Sequence, residues 1–191
     1  MNTFQTPAAI ALSIDLAVAN VTVVASERTD TVVDVQPTDA GKKADVKAAE
    51  QIEVGFHAGT VSVLAPKGWR KNLGGKNSVE VTVHVPAGSK LDATIAVGNL
   101  IGSGDIAGGE VKTSMGDIRI IGAASGEFQL QTATGDIEVG VQPGSAVQLE
   151  TNTPNGSVAN QLAPAAPGHG TVQVHAQTST GNIIIRTATA A

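Results

Sequence analysis

Asp117 and Asp136 occupy nearly the same setting, "TSMGDIRI" and "TATGDIEV", nineteen residues apart. Two outward carboxylates stacked at one repeat could bind calcium or act as an acid–base pair on a polysaccharide. The equivalent place in other copies is filled by Asn99, Ser157 and Asn182. The position therefore requires a small polar side chain and not a charge, which points to a turn that hydrogen-bonds nearby backbone rather than to a ligand set. "GSGDIAGG" has the look of a calcium-binding glycine-rich nonapeptide, but it occurs once and no nine-residue period follows it.

Other chemistry is sparse. His57, His84, His169 and His175 are scattered without metal-ligand spacing. No Gly-x-Ser-x-Gly elbow, His-Glu-x-x-His pair or phosphate-cradling glycine loop is present. The expectation is a protein that is not an enzyme, with no catalytic residues, no metal and no cofactor. The most distinctive surface feature is "PKGWRKNLGGKN", Pro66 to Asn77, where Lys67, Arg70, Lys71 and Lys76 surround the only tryptophan, Trp69. Such a loop could meet an anionic or protein partner. The plainer reading is a solvated insertion whose Trp69 folds back on the body.

Composition narrows the classes further. A formal charge of -5 gives no basis for bulk nucleic-acid binding, so none is expected. Without cysteine there is no disulfide framework and no thiolate chemistry. The opening "MNTFQTPAAIALSIDLAVAN" lacks Lys and Arg, and Ser13 and Asp15 interrupt its apolar run. It reads neither as a secretory signal nor as a membrane span, and a cytoplasmic location is expected.

The elements that carry these residues are strands. Ile14, Leu16 and Val18, then Val21 and Val23, alternate at the period of a half-buried strand, as do Val79, Val81, Val83 and Val85. Val172, Val174 and Ala176 repeat the arrangement, with Gln173, His175 and Gln177 outward. One short helix is expected within "KKADVKAAEQ", Lys42 to Gln51. With three Phe, one Trp and no Tyr, the core must be built from aliphatic side chains in thin layers.

Aligning Gly98, Gly116, Gly135, Gly156 and Gly181 exposes a repeat spaced 18, 19, 21 and 25 residues apart. A period near twenty holding two short strands suits a β-solenoid, because one coil cannot bury its own apolar side and stacked coils can. Each glycine would turn a corner, and Thr113, Thr132, Thr153 and Thr178, three residues earlier, would stack above one another. "ANVTVV" at Asn20 and "AGTVSV" at Gly59 read as earlier coils. The expectation is one all-β domain over 1–191, irregular over 1–90 and regular over 91–191, with coils of about 18–20 residues, seven to nine in all. Its unpaired ends, including the closing "NIIIRTATAA", would permit homo-oligomers.

The runs "TSMGDIRI", "TATGDIEV" and "VQVHAQTSTGNIIIR" resemble the bacterial β-strand-repeat family labelled putative adhesin, a domain of unknown function. "VEVTVHVPAGSKLDATIAVGNLIGSG" and the opening from Thr6 resemble its entry into the repeats, so most of the chain is covered. The resemblance implies a right-handed, single-stranded β-helix of Gly-Asp-Ile/Val rungs and supplies no catalytic residues.

Overall fold

The computed structural model describes residues 1–68, 77–123, 125–163 and 170–188. In chain order its elements are β1 (Asn2–Gln5), β2 (Ala11–Ser26), β3 (Asp30–Pro37), α1 (Lys43–Glu50), β4 (Glu53–His57), β5 (Thr60–Leu64), β6 (Val79–Pro86), β7 (Lys90–Val97) and β8 (Leu100–Gly104). They continue with β9 (Gly108–Met115), β10 (Ile118–Ala123), β11 (Gly126–Thr134), β12 (Ile137–Val141), β13 (Ala146–Asn152), β14 (Val158–Gln161), β15 (Thr171–Thr180) and β16 (Ile183–Thr187).

The chain is a mainly parallel β-solenoid with two walls. Wall I holds β5, β2, β7, β9, β11, β15 and β13 side by side, and wall II holds β6, β2, β8, β10, β12, β16 and β14. Each coil runs along wall I, turns, and returns along wall II. Strand β2 does this without a break: its inward alternation slips by a residue at Val18, so Leu16 is buried on one wall and Ala19 on the other. The inward aliphatic residues of both walls make one core, including Leu12, Leu91, Ile95, Leu130 and Val174 facing Leu100, Ile118, Ile137 and Ile183. Among the described residues Phe128 is the one large ring fully buried, and its neighbour in register, Gly109, has no side chain to compete for the space.

The order and direction of the strands correct two expectations, the open end at "NIIIRTATAA" and the coil at Gly59. The coils do not stack in chain order. β15 and β16 lie between β11/β12 and β13/β14, and β2 lies between β5/β6 and β7/β8. The apolar run "NIIIR" is therefore an interior strand and not an open end. A periodic sequence shows which residues face inward, but every coil presents the same aliphatic pattern to its neighbours, so the order of insertion is invisible in it. The parallel winding also stops at the N-terminal side, where β3 pairs antiparallel with β6, β1 with β3, and β4 with β5. Gly59 lies in the β4–β5 hairpin, with φ 77° beside Ala58 at φ 49°, and not at a coil corner.

The short helix falls within its expected span. Asp45 holds it down: the carboxylate is buried, 2.9 Å from Lys42 Nζ, and accepts the Ser78 amide hydrogen at 3.0 Å. The hydrogen bond from Lys42, aided by that amide, keeps its carboxyl below the ordinary value despite burial.

Candidate functional site

The residues singled out by the repeat form a ladder along one corner of the solenoid. Asn20 Oδ1 accepts the Asn99 amide hydrogen at 3.2 Å, Asn99 Oδ1 that of Asp117 at 2.9 Å, and Asp117 Oδ1 that of Asp136 at 2.8 Å. Asp136 Oδ1 then accepts from Asn182 N at 2.6 Å, and Asn182 Oδ1 from Ser157 N at 3.1 Å. Every rung needs an sp² side-chain oxygen of short reach, and Asp and Asn supply it equally. Ser157 ends the described ladder and instead donates its hydroxyl to Asn182 Oδ1 at 2.9 Å. Asp117 and Asp136 are placed together, but each engages an oxygen with the next coil's backbone.

The glycines are required because the coils approach too closely for a Cβ. At Gly135, φ is 147° and a Cβ would fall 2.1 Å from Gly116 O. Gly98, Gly116 and Gly181 share the left-handed conformation; Gly156 does not, yet a Cβ there would sit 1.8 Å from Gly181 O. Inside the corner, Thr132, Thr178 and Thr153 donate their hydroxyls to the carbonyls of Gly116, Gly135 and Gly181 at 3.1, 3.0 and 2.8 Å. Thr113 Oγ1 is buried without a partner among the described residues.

Strand register arranges the outward faces in rows. On wall I one row reads Asp92, Glu110, Gln129, His175, Glu150, and the next Thr94, Lys112, Gln131, Gln177, Asn152. Lys112 Nζ lies 2.5 Å from Glu110, and His175 Nδ1 lies 3.0 Å from Glu150 with Nε2 3.9 Å from Glu127. From Glu110 and Lys112 onward these two rows line a shallow depression of ≈ 380 Å³. On wall II, Glu138 Oε2 meets Arg119 Nε and Oε1 meets Arg186 Nε, each at 2.6 Å. Burial raises the Glu138 carboxyl, but the two guanidinium groups outweigh it and hold it below 4.5. Apart from Lys112 and Glu110, neighbours on one strand, the partners in both clusters lie far apart in the linear sequence and meet only through register.

Of the basic loop, Lys67 is exposed and stands beside a hollow of ≈ 410 Å³ lined in part by Leu16, Ala48, Ile52 and Pro66. In the chain the loop joins β5 to β6. Trp69, Arg70, Lys71 and Lys76 lie outside the described residues, as does His169. Among the described residues no group of three or more His, Asp or Glu is placed to hold a metal ion. No described helix is long and apolar enough to cross a membrane.

Walls of parallel strands closed by a glycine corner and a side-chain ladder define a β-solenoid-like parallel fold. The chain belongs to the Toastrack DUF4097 family, whose model matches residues 10–189. Among solved structures it is similar to a "putative cell adhesion protein" from Clostridium sporogenes, with a TM-score of 0.69, 10% identity, and coverage of 97% of this chain and 98% of that one. A likeness at that identity shows the shared fold alone. A "putative adhesin" from Bacteroides fragilis matches at a TM-score of 0.38 and 13% identity, covering 96% and 95% of the two chains. No curated protein matches the chain.

Proposed function

We propose that this chain is a non-enzymatic binding scaffold, a single right-handed β-solenoid domain in the cytoplasm, whose wall I face meets a polar, partly basic protein surface. The observation that supports it is the registered array of Glu110, Gln129, His175, Glu150, Lys112, Gln131 and Gln177. Their spacing is set by the roughly 4.8 Å between strands, so the groups are pre-positioned and lose little freedom on contact. The part taken by Asp117 and Asp136 in the corner ladder supports a structural role for both and weighs against the reading of a polysaccharide-active enzyme.

Affinity capture from native lysate tests this, comparing wild type with Gln129→Arg/Gln177→Arg, which places two bulky cations in the middle of the face without entering the core. Specific partners retained by wild type and lost by the variant, at unchanged melting temperature, are the expected result. Partners that persist there but vanish when Trp69, Arg70 and Lys71 are all changed to Ala would move the site to the basic loop. A second reading, an exported adhesin using the same face, is favoured by the name of the Clostridium relative. Cell fractionation separates the two, and recovery only from the cytosol would end the adhesin reading.

A further inference from the structure

The two ends of the stack are finished differently. At one, antiparallel β1, β3 and β4 cover the outer coil, α1 packs on β3, and the Phe4 and Phe56 rings meet at 5.8 Å. At the other, no described strand pairs with the outer edge of β13. Its inward residues Val147, Leu149 and Thr151 are only half-buried, whereas Val172, Val174 and Ala176 beside them on β15 are fully buried. Strand β13, "AVQLETN", carries one charge and no proline, so it lacks the usual guards of a free edge.

We propose that this edge is a self-association site, at which two copies pair β13 with β13 antiparallel about a two-fold axis at Leu149 and join their first walls into one sheet. The backbone dictates the register. Ala146 N donates to Gly170 O at 3.2 Å, so in the parallel ladder Ala146, Gln148, Glu150 and Asn152 direct their backbone groups to β15. Val147, Leu149 and Thr151 direct theirs outward. Centring on Leu149 pairs Leu149 with itself and Val147 with Thr151, so every outward N–H and C=O of both copies finds a partner. Centring on any other residue leaves some of them without a partner in the strand, and centring on Glu150 also sets that carboxylate opposite its own copy.

Side chains agree with that register. On the outer face Gln148 lies opposite the partner's Glu150, so no like charges meet. On the inner side Leu149 meets its own copy and continues the aliphatic core. A seven-residue strand spans about 23 Å, and such a seam buries less than the roughly 800 Å² per partner of a standard interface. The dimer is accordingly weak, with a dissociation constant of about 10–100 μM.

Sedimentation equilibrium across that concentration range, with four variants, tests the proposal. Gln148→Lys should tighten the dimer and Gln148→Glu weaken it, each about three- to tenfold, since each change acts at two symmetric pairs. Thr151→Pro removes one outward N–H and spares the ladder to β15, so it should yield a folded monomer. The chain has no cysteine, and Gln148→Cys/Glu150→Cys puts each thiol opposite its partner at a spacing of about 4.5 Å between Cα atoms, so oxidation should give a covalent dimer. A wild type that stays monomeric at several hundred micromolar overturns the proposal. So does a Thr151→Pro protein that dimerises as wild type does, or a foreign strand bound at β13 of a chain that never self-associates.

Discussion

Replacing Asp117 distinguishes a corner ladder from a carboxylate site with little ambiguity. Asp117 Oδ1 accepts the Asp136 amide hydrogen at 2.8 Å, and its own amide hydrogen goes to Asn99 Oδ1 at 2.9 Å. Asp117→Asn keeps an sp² oxygen in place and removes a charge next to Asp136, so stability should stay within about 0.5 kcal/mol of wild type. Asp117→Ala removes the acceptor. The Asp136 N–H lies at the exposed corner, where water replaces the lost partner, and the cost falls near the ordinary net value of a hydrogen bond, about 0.5–1.5 kcal/mol. In a domain of this size that lowers the melting temperature by about 1–6 °C. Gly135→Ala in the same corner should cost far more, about 3 kcal/mol or above, because φ is 147° and the new Cβ would sit 2.1 Å from Gly116 O. Urea unfolding followed by circular dichroism, repeated with and without millimolar calcium, measures all three. If Asp117→Asn loses as much as Asp117→Ala, or if calcium stabilises wild type and not Asp117→Asn, the carboxylate itself matters and the ladder reasoning fails.

The inner threonines give a contrasting pair. Thr178→Val should cost about 1 kcal/mol by removing the 3.0 Å bond to Gly135 O, whereas Thr113→Val, whose hydroxyl is buried without a described partner, should be neutral or stabilising in the same unfolding assay. At Gly102, a Cβ would meet Ile106 Cδ1 at 2.8 Å and Ile120 Cδ1 at 2.9 Å, so Gly102→Ala should destabilise by about 0.5–2 kcal/mol and be partly rescued by Ile120→Val. Glu138, held below its ordinary value of 4.5 by Arg119 and Arg186, contributes stability that is complete above that pH and is lost as pH falls through its lower folded value. Glu138→Gln should therefore cost about 1–2 kcal/mol at neutral pH and progressively less below about pH 4, and a constant difference across an acid titration of stability would contradict this.

The inward and outward sets were legible in the sequence because a strand alternates with period two, and the valines and isoleucines of β6, β12 and β15 keep strict phase. The corner residues were legible for a related reason. Each coil meets the same steric demand, so Gly98 with Asn99 and Gly135 with Asp136 recur as pairs. Even the unbroken β2 shows the corner, at Asn20, though without its glycine. What the sequence could not express was adjacency. Coils with interchangeable aliphatic faces give no local signal of which will be neighbours, and the insertion of β15/β16 and of β2 is visible only in the assembled sheet. The Glu138–Arg119–Arg186 cluster and the His175 pairs follow from that order, as does the exposure of β13 at one end. Composition and period determined the solenoid and its corner by themselves; only the tertiary structure decided which coil lies beside which, since burial against a particular neighbour is a property of the assembled stack and of no segment within it.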